Sequence, residues 1–253
     1  MLPVFSTLKE MLCLWVKNFW YLIALTPFLA IPFVLVNYLE SDTQNSHDAA
    51  GFIFLFIVVV MEYVIEVIVA VAILGLLRKE TLGKTAWAAA WKTVKIYTWP
   101  VLRLFILFAL IIFLFALAIF MFGIMLGIEK DFVLISFCVF AFLTSILFAL
   151  SPPLIVAENL NATAALKRSW KMCKIHFWYL TGCLFFLLLG DSLLYAGMTW
   201  VLDGIPWSVI PLAFTEKLFG AMWMILTWCM YLRIKEIEAQ QSAATLAPTS
   251  YPT

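Results

Sequence analysis

Long apolar runs dominate the pattern of hydrophobic and polar positions along this chain, and short polar segments separate them. Six runs reach the roughly 20 residues that a helix needs to cross the hydrocarbon core of a bilayer. They cover Phe19–Tyr38, Phe52–Leu77, Pro100–Ile128, Phe132–Val156, Phe177–Leu202 and Leu212–Ile234. The apolar residues are continuous within each run and do not alternate with period two, which favours helices over the strands of a membrane barrel. The pattern therefore predicts an all-α, polytopic membrane protein with six transmembrane helices.

A repeated segment precedes two of these runs. Residues 91–99 read WKTVKIYTW and residues 170–178 read WKMCKIHFW, so the two copies lie 79 residues apart and share five of nine positions. The same offset relates Trp20, Trp99 and Trp178. Three apolar trios with spacing i, i+4 and i+7 also follow the offset, and this spacing puts each trio on one face of a helix. The trios are Leu8, Leu12 and Trp15; Trp87, Trp91 and Val94; and Leu166, Trp170 and Cys173.

Lysines cover the face opposite each apolar trio. They are Lys9 and Lys17 in the first copy, Lys84, Lys92 and Lys95 in the second, and Lys167, Lys171 and Lys174 in the third. A helix with Trp on one face and Lys on the other lies in the headgroup plane, so Trp170 is expected on the buried face. Each unit is thus an interfacial amphipathic helix followed by two spans.

The units form three parallel repeats, because each unit crosses the membrane twice and the next therefore enters from the same side. Their approximate bounds are residues 1–79, 80–158 and 159–238, which together make a single transmembrane domain, 1–238. The remaining residues, 239–253, are small, polar and proline-containing, so a disordered tail is expected there.

Composition and charge add an orientation. The chain is 65% hydrophobic and 12% charged, whereas soluble domains carry about 45–50% apolar and about 25% charged residues. Fourteen of the 16 basic residues lie in segments on one side of the predicted spans. By the positive-inside rule this side, which holds both termini and the tail, is cytoplasmic. The other side holds Lys130 and Lys217 beside the acidic residues Glu40, Asp42, Asp48, Glu129, Asp131, Asp203 and Glu216.

One stretch carries a family resemblance. From Leu150 the chain reads LSPPLIVAENLNATAALKRSWKMCKIHFWYLTGCLFFLLL, and MYLRIKE follows the sixth span. Over about residues 145–190 this resembles the YciC-type family of uncharacterised bacterial inner-membrane proteins. It is also similar to the membrane domain of some glycerophosphodiester phosphodiesterases. The resemblance implies a multi-pass helical protein of the bacterial inner (cytoplasmic) membrane, and it implies no activity. Pro152 and Pro153 are expected to end the fourth span.

Three carboxylates lie inside predicted spans: Glu62 and Glu66, four residues apart, and Asp191. A charged group at the bilayer centre is costly, so these side chains should face the bundle interior or a wet cavity. One hypothesis is a proton- or cation-linked site between the second and fifth spans. The other is protonated side chains that hydrogen-bond between helices, worth about 0.6–2 kcal/mol each. No Lys or Arg is expected beside them within the membrane, and Ala141 and Ser145 replace the two glutamates in the second repeat.

Other chemistry finds little support in the sequence. The five cysteines contain no C-x-x-C pair and the two histidines fall on opposite sides, so neither a disulfide framework nor a metal site is expected. No nucleophile elbow, phosphate-binding loop or nucleotide fingerprint is present. The sequence therefore predicts a non-enzymatic protein with no cofactor and no nucleic-acid partner.

Two functions remain open. The first is a membrane protein that organises lipids or partner proteins, with anionic membrane lipids, another membrane protein or a second copy as partners. Its interfacial lipid-binding residues would be Trp87, Trp91, Lys92, Lys95, Lys167, Arg168, Trp170, Lys171 and Lys174. A plainer interpretation is that these residues only set topology and anchor the spans. The alternative function is a proton- or cation-coupled small-molecule transporter that uses Glu62, Glu66 and Asp191.

Overall fold

The computed structural model describes residues 4–46, 49–79, 84–126, 130–202 and 209–246, and all regular structure within these ranges is α-helical. The helices are α1 (Val4–Lys17), α2 (Phe19–Ser46), α3 (Ala49–Lys79), α4 (Lys84–Leu126), α5 (Lys130–Ala149), α6 (Ser151–Glu158), α7 (Ala162–Leu202) and α8 (Val209–Leu246). Three of the acidic residues that were predicted on the non-cytoplasmic side lie outside the described residues: Asp48, Glu129 and Asp203.

Six stretches of these helices are long and apolar enough to cross a membrane. They are Phe19–Val36, Phe56–Arg78, Trp87–Phe122, Phe132–Glu158, Ala162–Leu202 and Ile210–Ala243. Each overlaps one of the six runs in the sequence, so the all-α class and the six predicted spans are confirmed. The architecture is that of a multi-pass membrane protein.

The protein core lies at one end of the bundle, which we call the packed end. Within α3 nearly every residue from Val67 to Leu77 is buried, and within α8 every residue from 225 to 231 is buried. A helix that is apolar and buried on all sides occupies the centre of a bundle. At the other end, the open end, α4 beyond Leu104 and α7 beyond Leu184 expose most of their large apolar side chains. The helices therefore converge at the packed end and leave apolar surface uncovered at the open end.

A short buried helix, α6, organises the packed end. Its residues from Ser151 to Val156 are all buried, and it contacts α3, α4, α5, α7 and α8. Pro152 and Pro153 were predicted to end the fourth span, but they lie in the first turn of α6, after a turn at Leu150. Proline fits there because the first N–H groups of a helix have no intrahelical acceptor. The prolines redirect the chain into the core, and α6 ends at Glu158, where Asn159 takes a left-handed conformation (φ 56°).

The helical backbone is interrupted at two positions that the 79-residue sequence offset relates. Asn18 separates α1 from α2, and its backbone carbonyl accepts bonds from the N–H groups of Tyr21 and Leu22. His176 departs from helical geometry within α7, with φ −115° and ψ 23°. The two positions lie 158 residues apart, which is twice the sequence offset of 79. Tyr97, midway between them, lies within continuous helix in α4.

The helix α8 extends beyond the predicted span. Residues 239–246, which were expected to belong to a disordered tail, form its last turns. Ala, Gln and Leu supply most of this segment and are good helix formers, which explains why the helix continues. The rest of the predicted tail, 247–253, lies outside the described residues.

Gly75 permits a close approach of α3 to α4, which offers a test of the packed end. A Cβ at this position would lie 2.8 Å from the Thr93 Cβ and 3.0 Å from the Ala90 Cα. We expect Gly75→Ala to lower the free energy of unfolding by about 1–3 kcal/mol, because overpacking forces the helices apart. Thermal unfolding of the purified protein in neutral detergent measures the change.

Gly197→Ala serves as the control, because a Cβ at Gly197 meets no atom within 4 Å. The control should be neutral or slightly stabilising, since Ala favours a helix over Gly. Equal unfolding temperatures for Gly75→Ala and the parent chain would contradict the close packing of α3 and α4.

Candidate functional site

A lysine meets the two glutamates of α3. The Lys217 Nζ, from α8, lies 3.1 Å from the Glu62 Oε1 and 2.5 Å from the Glu66 Oε1. The i, i+4 spacing places both carboxylates on one face of α3, where a single ammonium can reach them. The expectation that no basic residue lies beside these acids is therefore wrong. Lys217 had been assigned to the polar residues outside the membrane because it lies close to the start of the sixth apolar run.

The surroundings of this ion pair are mostly apolar. The side chains of Lys217 and Glu62 are only 12% and 14% exposed, whereas that of Glu66 is 42% exposed. The Lys217 Nζ also lies 4.7 Å from the centre of the Phe33 ring of α2, which adds a cation–π contact. One ammonium thus joins α2, α3 and α8. With two carboxylates and one ammonium, the cluster carries one excess negative charge when all three groups are ionised.

A cavity extends from this cluster toward α7. Its volume is about 490 Å³, and its charged lining consists of Glu66, Lys217, Glu216 and Asp191. Neither Asp191 nor Glu216 has an ion-pair partner within 4 Å among the described residues. Of the predicted trio, Glu66 and Asp191 therefore line one cavity. Glu62 does not line this cavity, but it forms an ion pair with Lys217, which does.

The cavity lies where the packed end gives way to the open end. Helices α1, α3, α7 and α8 surround it, and Gly190 and Gly220 form part of its wall. Both glycines are exposed, so the cavity reaches the surface of the bundle at these points of its wall. The charged groups are thus accessible from the side of the bundle that exposes apolar residues.

A second cavity of about 230 Å³ shares Glu66, Lys217, Gly220 and Trp223 with the first. Tyr63 also lines it, and the Tyr63 hydroxyl donates a hydrogen bond of 3.1 Å to the Phe105 carbonyl of α4. The described residues contain no group of three or more His, Cys, Asp or Glu side chains that could hold one metal ion.

The predicted lipid-binding residues lie mainly on the surface of α4 and α7. Most of them are exposed, including all three tryptophans and all five lysines of the set. The exposed members are Trp87, Trp91, Lys92, Lys95, Lys167, Trp170, Lys171 and Lys174. Trp170, which was predicted on the face that is buried in the membrane, is 46% exposed on the protein surface, and the Lys174 Nζ lies 5.4 Å from its ring centre. Aromatic and basic side chains thus share a surface.

A neighbouring stripe also packs against the protein core. Met11, Ala90 and Ser169 each precede by one position a member of the predicted apolar stripe, and they are 4%, 1% and 0% exposed. Within the predicted stripe itself Val94 and Cys173 are buried, and three further members pack against the core: Leu8, Trp15 and Leu166. Ser169 donates a hydrogen bond of 2.6 Å from its hydroxyl to the Leu147 carbonyl, and its small side chain lets the two helices approach closely.

Arg168 is the exception among the predicted lipid-binding residues. Its guanidinium lies 2.5 Å from the Glu158 carboxylate, and Glu158 also pairs with Lys235 at 3.0 Å. The Tyr231 hydroxyl donates a further hydrogen bond of 3.1 Å to Glu158. Glu158 therefore ties α6 to α7 and α8. These residues come from the two segments that carry the family resemblance, LIVAEN with AALKRSW and MYLRIKE, but their contact could not be inferred from either segment alone.

The Lys217 cluster predicts a stability pattern. Lys217→Met should lower the free energy of unfolding by about 2–3 kcal/mol, because it leaves two carboxylates without a cation. The triple variant Lys217→Met, Glu62→Gln, Glu66→Gln should recover most of that loss, since no uncompensated charge remains. Detergent-solubilised protein unfolded by heat and by denaturant provides the comparison.

The exposed Lys171 supplies the matched control, and Lys171→Met should change stability by less than about 0.5 kcal/mol. A triple variant no more stable than Lys217→Met alone would show that the lysine contributes packing and not charge neutralisation.

Comparison with known proteins adds no assignment to this site. No family model, no curated protein and no solved structure matches the chain. The resemblance to the YciC-type family accordingly stays a prediction from residues 145–190, and the function has to be argued from the site itself.

Proposed function

We propose that this chain is a non-enzymatic, multi-pass protein of the bacterial inner membrane that binds a cation or proton in its charged cavity and carries it across the bilayer. The observation that carries the proposal is the cavity lined by Glu66, Asp191, Glu216 and Lys217. Three carboxylates against one ammonium give the lining an excess of negative charge. In a low-dielectric environment such an excess favours a cationic occupant or protonation.

Two observations move this function ahead of lipid organisation. The basic partner expected to be missing from the membrane is present as Lys217. A cavity also reaches both Glu66 and Asp191, which a purely structural role for these acids does not require. Glu66 and Lys217 line the smaller cavity as well, so they form a shared wall between two cavities.

Flux through reconstituted protein tests this proposal. Liposomes that contain the chain and a pH-sensitive dye should show proton or cation movement under an imposed membrane potential. The double variant Glu66→Gln, Asp191→Asn should slow this movement by about tenfold or more, because it removes two of the three carboxylates that line the cavity. Glu236→Gln is the control, since Glu236 pairs with Arg233 at an exposed position of α8. Flux equal to that of empty liposomes, or undiminished flux in the double variant, would refute carriage by these acids.

A second function, binding of anionic lipid, is favoured by the surface that Trp91, Lys92 and Lys95 share in α4 and Trp170, Lys171 and Lys174 share in α7. Polybasic segments gain about 1 kcal/mol per Lys or Arg near an anionic membrane surface. We propose that these segments lie at the cytoplasmic headgroups, with both termini on the same side. A membrane-protein partner or a second copy is the other candidate for this surface.

The three parallel repeats belong to this second proposal, and matched exposure supports them. Several positions related by the 79-residue offset are buried alike or exposed alike in all three units. The buried sets are Met11, Ala90 and Ser169; Leu22, Val101 and Leu180; and Leu25, Leu104 and Cys183, and the exposed set is Trp20, Trp99 and Trp178. The interruptions at Asn18 and His176 follow the same offset. Three units of this kind would present three basic segments to one leaflet.

Retention of lipid during purification tests the second proposal. Replacing Lys92, Lys95, Lys171 and Lys174 by Gln should reduce co-purified phosphatidylglycerol and cardiolipin several-fold, as counted by native mass spectrometry. The matched control replaces the same four residues by Arg, which keeps the charge. Equal lipid retention in the Gln and Arg variants would exclude a charge-dependent lipid site on these segments.

A further inference from the structure

One residue, Trp223 of α8, lines three neighbouring cavities. The charged cavity of about 490 Å³ and the smaller one of about 230 Å³ meet at Trp223, Glu66 and Lys217. A third cavity, of about 200 Å³, shares Trp223 and Phe105 with the second. The three cavities therefore adjoin one another at Trp223, which lines each of them.

The two outer cavities differ in chemistry. The first holds the unpaired acids Asp191 and Glu216. The third is lined by aromatic and aliphatic side chains from α4, α5, α6 and α8, among them Phe108 and Phe148, whose ring centres lie 4.7 Å apart. Its polar side chain is that of Ser145, whose hydroxyl already donates to the Ala141 carbonyl at 2.8 Å. One outer cavity thus suits a cation and the other suits hydrocarbon.

The placement of the carboxylates in the cavity favours an organic ammonium over an inorganic cation. No three acidic, histidine or cysteine side chains among the described residues converge on a point that could hold a metal ion. An inorganic cation such as Ca²⁺ takes six to eight oxygen ligands in one shell. An organic ammonium needs only one or two carboxylates and an apolar or aromatic wall for its carbon atoms. Phe186 and Trp223 provide such a wall in the charged cavity.

We propose that the three cavities together bind an amphiphilic organic cation, with its ammonium head beside Asp191 and Glu216 and its hydrocarbon body directed past Trp223 toward Phe108 and Phe148. This inference rests on the proposed function, because it names the class of cation that the charged cavity takes. The ligand enters from the lipid at the open wall by Gly190 and Gly220, where its hydrocarbon body is already dissolved. Lys217 stays paired with Glu62 and Glu66, so it does not repel the ammonium.

Binding of a homologous ligand series tests the proposal. The probes are tetramethylammonium, butyltrimethylammonium and octyltrimethylammonium, with octanoate as the anionic counterpart, titrated by calorimetry into the full chain in neutral-lipid nanodiscs. Empty nanodiscs give the partition background. The affinity should rise along the ammonium series by up to about fourfold per methylene until the cavities are filled. Octanoate should show no binding above background, because the charged lining repels it.

Two variants separate the head site from the tail site. Asp191→Asn with Glu216→Gln should weaken every ammonium probe by about tenfold or more while leaving the dependence on chain length. Ser145→Phe fills the aromatic cavity, so it should abolish the gain from butyl to octyl and leave tetramethylammonium binding intact. Ser145→Leu is a smaller filling that serves if the Phe variant does not fold. Ser192→Phe, on the exposed surface of α7, is the matched control and should bind like the parent chain.

Three outcomes would overturn the inference: octanoate binding as tightly as octyltrimethylammonium, a chain-length gain that persists in both Ser145 variants, or affinities unchanged by loss of the two acids. Proton or inorganic-cation flux that depends on Glu66 and Asp191, combined with no binding of the ammonium series, would refute the ligand class and leave the proposed function standing. Absence of both flux and binding would refute both.

Discussion

An ammonium group inside a membrane stays charged only where carboxylates meet it, and Lys217 imposes this constraint on the rest of the bundle. Its charge requires α8 to approach the face of α3 that carries Glu62 and Glu66, and its contact with Phe33 places α2 on the same side. A buried ion pair adds little net stability over an apolar equivalent, but a lone member of the pair is strongly destabilising. The cluster thus selects one arrangement of three helices over alternatives of similar hydrophobicity.

The contrast between the packed and open ends explains why the charged cavity lies where it does. Apolar side chains are closely buried around α6 and the second half of α3, and the spaces that remain there are the two smaller cavities of about 200 and 230 Å³. Beyond this region α7 separates from its neighbours, and the polar groups of Glu66, Asp191 and Glu216 occupy the space between the helices. Polar side chains at membrane depth are tolerated where they line a cavity, and the divergence of the helices creates that cavity.

The sequence predicted the features that depend on the local pattern and missed those that depend on contacts between distant segments. Six spans follow from run length and hydropathy alone, because a membrane helix satisfies its own backbone. The acids were found because a carboxylate within an apolar run is conspicuous. The partner of Glu66 was not found, since Lys217 lies 151 residues away and the fold alone brings the two together. Likewise, the hydrogen bond from Ser169 to the Leu147 carbonyl was not predicted, because it depends on how closely two helices approach each other.

The three units differ at the place where the surface segment joins the membrane segment. The helix is interrupted there at Asn18 and at His176, whereas it is continuous at Tyr97. A joint lets a membrane segment pivot without disturbing the surface segment that precedes it. Helix α4 continues through the equivalent place, and Pro100, three residues after Tyr97, removes one backbone hydrogen bond without ending the helix. The surface segment of α4 is therefore joined by one continuous helix to Phe105 and Phe108, which border the inner cavities.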